Sequence, residues 1–119
     1  MKVNCRISSR TLIPAIEKFL DLTSKKIISL EKRWDYTKGT PVFTIKGQYS
    51  TRGWTEWTQG FQYGCAILQY DMTREKKFLN IGREKTIKNM APHVSHIGVH
   101  DHGFNNLSTY GNLRRLILE

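Results

Sequence analysis

Two short segments of the sequence hold the side chains best suited to bind or transform a ligand. They are residues 54–64 (WTEWTQGFQYG) and residues 100–104 (HDHGF). Each segment directly precedes an apolar pattern with helical spacing, so we predict that each lies at the N-terminus of a helix. If these two helices run side by side, both ends can face one pocket.

The aromatic segment suits a carbohydrate. A tryptophan such as Trp57 at the mouth of a pocket offers a flat apolar face to a sugar ring, and Gln59 can hydrogen-bond to sugar hydroxyls. Phe61 extends the apolar surface. The same aromatic side chains can instead fill a core beneath a long loop, and composition alone does not separate these two interpretations.

Asp101 is the carboxylate of the second segment, and His100 precedes it. A carboxylate immediately before a helix is stabilised as an anion by the backbone N–H groups and by the helix dipole. Such a residue can be a helix cap worth about 1 kcal/mol, or it can be a catalytic group. The spacing leaves both roles open.

Residues 91–102 contain all four histidines, and two of them flank Asp101. Histidines around a carboxylate are typical of hydrolytic zinc sites. However, position 98 is a glycine where such a run requires a further histidine, and the strands that usually carry it are not evident. We therefore predict no metal and no cofactor, and a zinc protein remains the third interpretation.

The composition fits one small basic domain. Lys and Arg number 19 against 10 acidic residues, a net charge of +9, with 39% hydrophobic residues and a mean hydropathy of −0.49. This balance suits nucleic acid, an anionic surface or an acidic small substrate. No run approaches the roughly 18 apolar residues of a membrane span, and no signal peptide is visible. We expect a cytoplasmic or periplasmic protein with no membrane contact.

Hydrophobic periodicity predicts four helices and no sheet. The first covers residues 12–34, with Thr11 as its cap and Pro14 in its first turn. The second covers residues 58–71 with Thr58 as its cap, and the third runs from the cap Thr73 to residue 90. The fourth runs from about residue 105 to the end of the chain. Between the first two helices, residues 42–45 are expected to be extended but too short and isolated to be assigned as a strand.

Each predicted helix has an apolar edge that we expect to be buried. On the first helix the edge is Leu12, Ile16, Phe19, Leu20, Thr23, Ile27, Leu30 and Trp34. On the second it is Phe61, Cys65, Leu68 and Met72. On the third it is Phe78, Leu79, Gly82, Thr86 and Met90, and on the fourth Leu107, Tyr110, Leu113, Leu116 and Ile117. The lysines and arginines of the first helix lie mostly off its edge and are expected to face solvent.

Residues 57–61 (WTQGF), followed by residues 100–104 (HDHGF), resemble glycoside hydrolase family 88, the unsaturated glucuronyl hydrolases. In that family a Trp-Thr-x-Gly-Phe segment opens one helix, and a His-Asp-x-Gly-Phe segment opens the next inner helix. Residues 70–78 (YDMTREKKF) are similar to the family's hairpin turn, and the match spans roughly residues 10–119. The resemblance implies an all-α fold, the first two helical hairpins of an (α/α)6 toroid. Residues 1–119 would then be the N-terminal portion of that domain, with residues 1–9 a leader or disordered.

The resemblance also implies an activity. Family members remove a 4,5-unsaturated uronic acid from oligosaccharides made by polysaccharide lyases, and they do so by hydrating its vinyl ether. Asp101 would be one of two catalytic carboxylates, and Trp57, Gln59, Phe61 and His100 would bind the substrate. The second carboxylate is expected downstream of residue 119, so these residues alone would be inactive. Gln62 and His102 depart from the family pattern, which affects the expected sugar preference more than the reaction.

Two other functions remain open. The net charge of +9 and three tryptophans would suit a small helical module that binds nucleic acid. Against it, the basic residues are spread over the first and third helices without a recognition helix. The other alternative is a carbohydrate-binding remnant without catalysis. For the fragment interpretation we also expect self-association through faces that missing neighbours would cover.

Overall fold

Helices dominate the part of the chain that the structure describes, residues 8–118 of a computed structural model. The helices and helical turns are α1 (Ser9–Arg33), a 3₁₀ turn (Tyr36–Lys38), α2 (Thr58–Thr73), α3 (Lys76–Asn89), α4 (Pro92–Ser95), α5 (Asp101–Asn106), a π-helical turn (Leu107–Gly111) and α6 (Asn112–Ile117). Two strands, β1 (Pro41–Ile45) and β2 (Gln48–Thr51), lie between α1 and α2. The helical prediction is confirmed in its main part, and a toroid is not shown. Among the described residues, no helix is both long and apolar enough to cross a membrane.

Helix α1 begins earlier than predicted because Ser8, and not Thr11, is its cap. The Thr11 backbone N–H donates to Ser8 Oγ (3.3 Å) and the Ser8 N–H donates to Thr11 Oγ1 (2.9 Å), which forms a capping box. Pro14 therefore lies inside the helix and not in its first turn. Ser8 and Ser9 belong to this helix start, whereas the rest of the expected leader, with Cys5, lies outside the described residues.

The β-hairpin corrects the expectation that no sheet would form. Strands β1 and β2 pair antiparallel, with Ile45 opposite Gln48. Lys46 and Gly47 connect them and both have positive φ, as a two-residue hairpin turn of type I′ requires. The extended segment at residues 42–45 was predicted from the sequence. Its pairing partner was missed because β2 is short, polar and largely exposed.

Helix α2 buries a different face from the one predicted. Phe61, Leu68 and Met72 are exposed, and so is Cys65. The buried residues of α2 are Gly60, Tyr63, Gly64, Ala66, Ile67 and Gln69. The prediction chose the face with the larger side chains, but the two glycines permit a closer helix contact on the other face. On α3 the prediction is confirmed for Phe78, Gly82 and Thr86, and also for Met90 directly after the helix, whereas Leu79 is only partly buried.

Helix α2 runs parallel to the helical stretch from α5 through α6. The Gly60 N–H donates to Asn105 Oδ1 (2.7 Å), and a Cβ added to Gly64 would lie 2.6 Å from the Ser108 carbonyl oxygen. Further along, Arg115 forms an ion pair with Asp71 (2.7 Å). Residue numbers rise together on both helices along this contact. The N-termini of α2 and α5 therefore lie at the same end.

The helix starts differ from prediction at three places. Thr58 is the first residue of α2 and Trp57 takes the cap position, without a side-chain capping bond. Thr73 ends α2, and its hydroxyl donates back to the Gln69 carbonyl (2.8 Å) instead of capping α3. Helix α5 begins at Asp101, before the predicted start near residue 105.

Leu107 is 71% exposed, although the apolar series Leu107, Tyr110 and Leu113 predicted that these residues face the core. Leu107 is the first residue of the π-helical turn. Such a turn adds one residue to the helix and rotates the positions on either side of it relative to each other. Leu113 reaches the core, and Leu107 points away from it.

Helix α1 contacts the rest of the domain through one side only, and none of its described residues is buried. The Thr23 hydroxyl donates to Gln69 Oε1 (2.7 Å), and Gln69 Nε2 donates to the Leu20 carbonyl (3.0 Å). Phe19, on the predicted apolar edge, is 61% exposed. The predicted edge therefore exists as a stripe, but much of it stays open to solvent.

Replacing Gly64 by alanine is expected to destabilise the domain by about 1–3 kcal/mol, since the new Cβ would overlap the Ser108 backbone. Gly103→Ala is the matched control, because Gly103 is also helical but has no heavy atom within 4 Å of an added Cβ. The control should be neutral or slightly stabilising, since alanine favours helix. Urea unfolding of both variants measures the difference. Equal stabilities would contradict the close packing of α2 on the π-helical turn that follows α5.

The exposed stripe of α1 is expected to cause self-association of the 119-residue chain. Sedimentation velocity over a hundredfold range of concentration would detect it. Phe19→Lys should reduce association, because it places a charge in the stripe, whereas Glu17→Lys adds the same charge type off the stripe and should reduce it less. A monomer at all concentrations would contradict this expectation.

Candidate functional site

The two segments singled out in the sequence meet where α2 and α5 begin. The Trp57 and Phe61 rings are 5.3 Å apart, edge to face, and the Phe61 and Phe104 rings are 6.4 Å apart. These three side chains, which we call the aromatic strip, are 46%, 42% and 52% exposed. Phe104 was not predicted as a site residue. Phe104 could have been predicted from the sequence, because it lies one helical turn after Asp101 and so on the same side of the helix.

Asn105 joins the two segments through the backbone of α2. Its Oδ1 accepts from the Gly60 N–H (2.7 Å), and its Nδ2 donates to the Glu56 carbonyl (3.2 Å). Asn105 is fully buried. One amide side chain thus satisfies two backbone groups at the start of α2, and it fixes that start against α5.

Asp101 is the first residue of α5 and is not its cap, because His100 takes the cap position. The Asp101 carboxylate lies 3.5 Å from His100 Nε2, and its side chain is 24% exposed. Asp101 and Phe104 are three residues apart, so they lie on one side of α5. Asp101 therefore shares a side of α5 with Phe104, one member of the aromatic strip, and the His100 side chain that it contacts is 89% exposed.

The Gln59 amide is bonded inside the domain. Its Oε1 lies 2.8 Å from His93 Nε2, and its Nε2 donates to the Tyr63 hydroxyl (3.4 Å). Asn89 Nδ2 donates to the same hydroxyl (3.1 Å). The role of Gln59 as a sugar ligand stays a prediction, and the contact that the structure shows is with His93.

Three of the four histidines form a cluster, and His100 lies apart from it. His93 Nδ1 and His102 Nδ1 are 3.0 Å apart, and His96 Nδ1 and His102 Nε2 are 2.7 Å apart. His93 and His102 are buried, whereas His96 is exposed. The Trp54 ring contacts all three imidazoles and stacks on His102 at 5.8 Å. We call His96, His102 and His93 the histidine chain.

The histidine chain does not converge on one point, because His102 faces its two neighbours with different nitrogens. A metal ion needs one nitrogen of each ligand directed at a common centre. Within residues 8–118, no group of three or more His, Cys, Asp or Glu side chains could hold a metal ion. The three imidazoles are instead bonded to one another.

Burial lowers the pKa of His93, and the nearby His102 and His96 lower it further. Each of these effects disfavours a positive charge on His93. His93 is therefore held neutral at a pH where a histidine in the unfolded chain is already partly charged.

The chain matches no protein-family model, no curated protein and no solved structure. What the site does must accordingly be inferred from its residues and their geometry.

Acidification from pH 7.5 to 5.5 is expected to destabilise the domain through His93. The unfolded state gains a proton there near pH 6.5, whereas the depressed pKa of His93 keeps the folded state neutral. The stability that His93 contributes is thus complete above about pH 6.5 and is lost as the pH falls below it. Urea unfolding at pH 7.5, 6.5 and 5.5 measures this.

His93→Gln should reduce the pH dependence of the unfolding free energy, since it removes the titrating group. His100→Gln is the matched control, because His100 is exposed and outside the histidine chain. The control should keep the slope of the unmodified protein. If His93→Gln keeps it too, His93 is not the cause.

Proposed function

We propose that this chain forms part of a glycoside hydrolase that removes 4,5-unsaturated uronic acid from lyase-generated oligosaccharides by hydrating the vinyl ether. The observation that carries the proposal is the parallel contact between α2 and α5. It brings the Trp57–Phe61 segment and the Asp101–Phe104 segment to one end, in the arrangement that a shared sugar site requires. Without that contact the two segments would be unrelated motifs.

The aromatic strip suits the sugar ring of such a substrate. Its three rings are neighbours and about half exposed, so they offer adjoining apolar surfaces in different orientations. Sugar rings pack their C–H surface against aromatic faces of this kind. The net charge of +9 favours the approach of a negatively charged uronate.

Asp101 suits the role of the ionised carboxylate in the reaction. Hydration of a vinyl ether protonates one carbon and delivers water to its neighbour, so one carboxyl group must carry a proton and then act as a base. A second carboxylate that stays ionised raises the pKa of the first and stabilises positive charge in the transition state. Asp101 is the first residue of α5, the end of a helix at which acidic side chains interact favourably with the helix dipole. In this proposal the protonated partner lies downstream of residue 119.

Helix directions support an (α/α)6 toroid as the proposed architecture. Thr23 of α1 contacts Gln69, and Tyr36, in the 3₁₀ turn that follows α1, contacts Gln62. Residue numbers thus rise on the first segment as they fall on α2, so α1 is antiparallel to α2. Helix α3 follows α2 through a short turn and packs back on it, with Gly82 against Ile67. Helix α2 and the α5–α6 stretch are parallel. A two-layer ring of hairpins alternates in this manner.

The test is an enzymatic assay of the protein encoded by the complete reading frame, with an unsaturated uronide disaccharide as substrate. Turnover is measured as the loss of the substrate's ultraviolet absorbance. The proposal expects activity for the complete product and none for residues 1–119 alone. Asp101→Asn should lower kcat/KM by about 10²–10³, as loss of one group that stabilises charge in the transition state does. Asp21→Asn is the control, since Asp21 is exposed and paired with Lys25 on α1.

A complete product that is inactive on uronides but binds DNA with a steep dependence on salt would contradict the proposal. That outcome would favour the nucleic-acid module instead, because phosphate contacts release counterions. Retained binding of the sugar without turnover, equal in Asp101→Asn, would favour a carbohydrate-binding remnant.

A further inference from the structure

The histidine chain connects solvent to the interior of the domain. It begins at the exposed His96, passes through His102 and His93, and ends at Gln59 on α2. Its three contacts measure 2.7 Å (His96 to His102), 3.0 Å (His102 to His93) and 2.8 Å (His93 to Gln59), which are hydrogen-bond lengths. Each contact must therefore hold one proton, between one donor and one acceptor.

Gln59 sets the direction of these hydrogen bonds. An amide oxygen only accepts, so His93 Nε2 must carry the hydrogen of its contact with Gln59 Oε1. A neutral imidazole has one N–H, which leaves His93 Nδ1 as an acceptor for His102 Nδ1–H. By the same rule His102 Nε2 accepts from His96 Nδ1–H. All three tautomers follow from the orientation of a single amide.

The number of protons that the histidine chain can hold follows from the same count. With all three imidazoles neutral, their three N–H groups fill the three contacts, and His96 Nε2 remains free on the solvent side. A proton that binds there can pass its charge inward, because each imidazole receives a proton on one nitrogen and releases one from the other. A second added proton would leave two N–H groups facing each other in one contact.

We propose that His96, His102 and His93 form a binding site for one shared proton, entered from solvent at His96 and closed by Gln59. Uptake of a second proton breaks a contact of the histidine chain. The contacts at risk hold α4 to α5, where Asn106 Nδ2 also donates to the His93 carbonyl (2.9 Å). The same contacts also fix the position of Trp54, whose ring touches all three imidazoles. Acidification therefore breaks the contact between α4 and α5 once the second proton binds.

The surroundings of the histidine chain are neutral. The groups packed against it are Trp54 from the loop before α2, Gln59 from α2 and Asn106 from α5. Tyr63 and Asn89 contact Gln59 or each other behind it. Among the described residues, the nearby carboxylates have other partners, since Asp101 contacts His100 and Glu56 contacts Arg52. In the described part of the chain, no carboxylate or cationic side chain has a recorded hydrogen bond or ion pair with the three imidazoles.

The proposal is independent of the hydrolase function and is tested without any activity. NMR of the ¹⁵N-labelled 119-residue chain at pH 8 identifies which ring nitrogen of each histidine carries hydrogen. The expected result is Nδ1–H for His96 and His102 and Nε2–H for His93. The reverse set of tautomers, or an equal mixture at every ring, would overturn the direction set by Gln59.

Titration of the same sample from pH 8 to 5 tests the proton count. One proton should bind to the three rings before any of their contacts breaks, and the fluorescence of Trp54 should change only when the second proton binds. Trp34→Phe and Trp57→Phe in the same chain leave Trp54 as the remaining tryptophan for this readout. Full charging of all three rings with Trp54 unmoved would overturn the proposal.

A matched pair of variants tests the role of Gln59. Gln59→Glu keeps the acceptor for His93 and adds a negative charge at the inner end, so it should raise proton affinity about tenfold, a shift of about one pH unit. His100→Gln changes a histidine outside the site and should leave the titration unaltered. An unchanged proton affinity in Gln59→Glu would overturn the proposal, and the tautomers of the unmodified chain decide it if that variant does not fold.

Discussion

The close contact of α2 with α5 is the constraint on which the rest of the structure depends. Gly60 and Gly64 have no side chains, so the backbone of the α5 stretch can lie against α2 at Asn105 and Ser108. At that distance the Gly60 N–H would be buried without a partner, a loss of about 1–3 kcal/mol, unless a side chain supplied an acceptor. Asn105 supplies it. Packing and hydrogen bonding therefore specify the same helix pair.

Both candidate sites follow from the first turn of α2. Phe61 faces outward and joins Trp57 to Phe104, which builds the aromatic strip. Gln59, two residues earlier, faces the other way and anchors the histidine chain. Because successive helical positions point in different directions, one turn can serve two sites with different chemistry. The sugar-binding and proton-binding proposals can thus fail separately.

The sequence predicted the main helices, because these follow from local periodicity and from helix starts. It gave the meeting of the two segments only as a condition, if their helices run side by side. It did not predict which face of α2 is buried. Hydrophobicity favoured the face with Phe61, Leu68 and Met72, whereas the geometry of close approach selected the face with Gly60 and Gly64. Close contacts of this kind depend on two distant segments of the chain. The hydrophobic periodicity of one helix therefore does not show which of its faces another helix approaches.

The histidine chain was beyond sequence reasoning for a related reason. A run of histidines around a carboxylate suggests metal ligands, but the ligand role requires all nitrogens to face one point. The fold turns His102 so that its two nitrogens face different partners, and it places Gln59 from another helix at the end. Which nitrogen faces which neighbour depends on tertiary structure alone. The sequence pattern resembles a metal-binding motif, whereas in the structure three of the four histidines form a hydrogen-bonded chain and His100 lies beside Asp101.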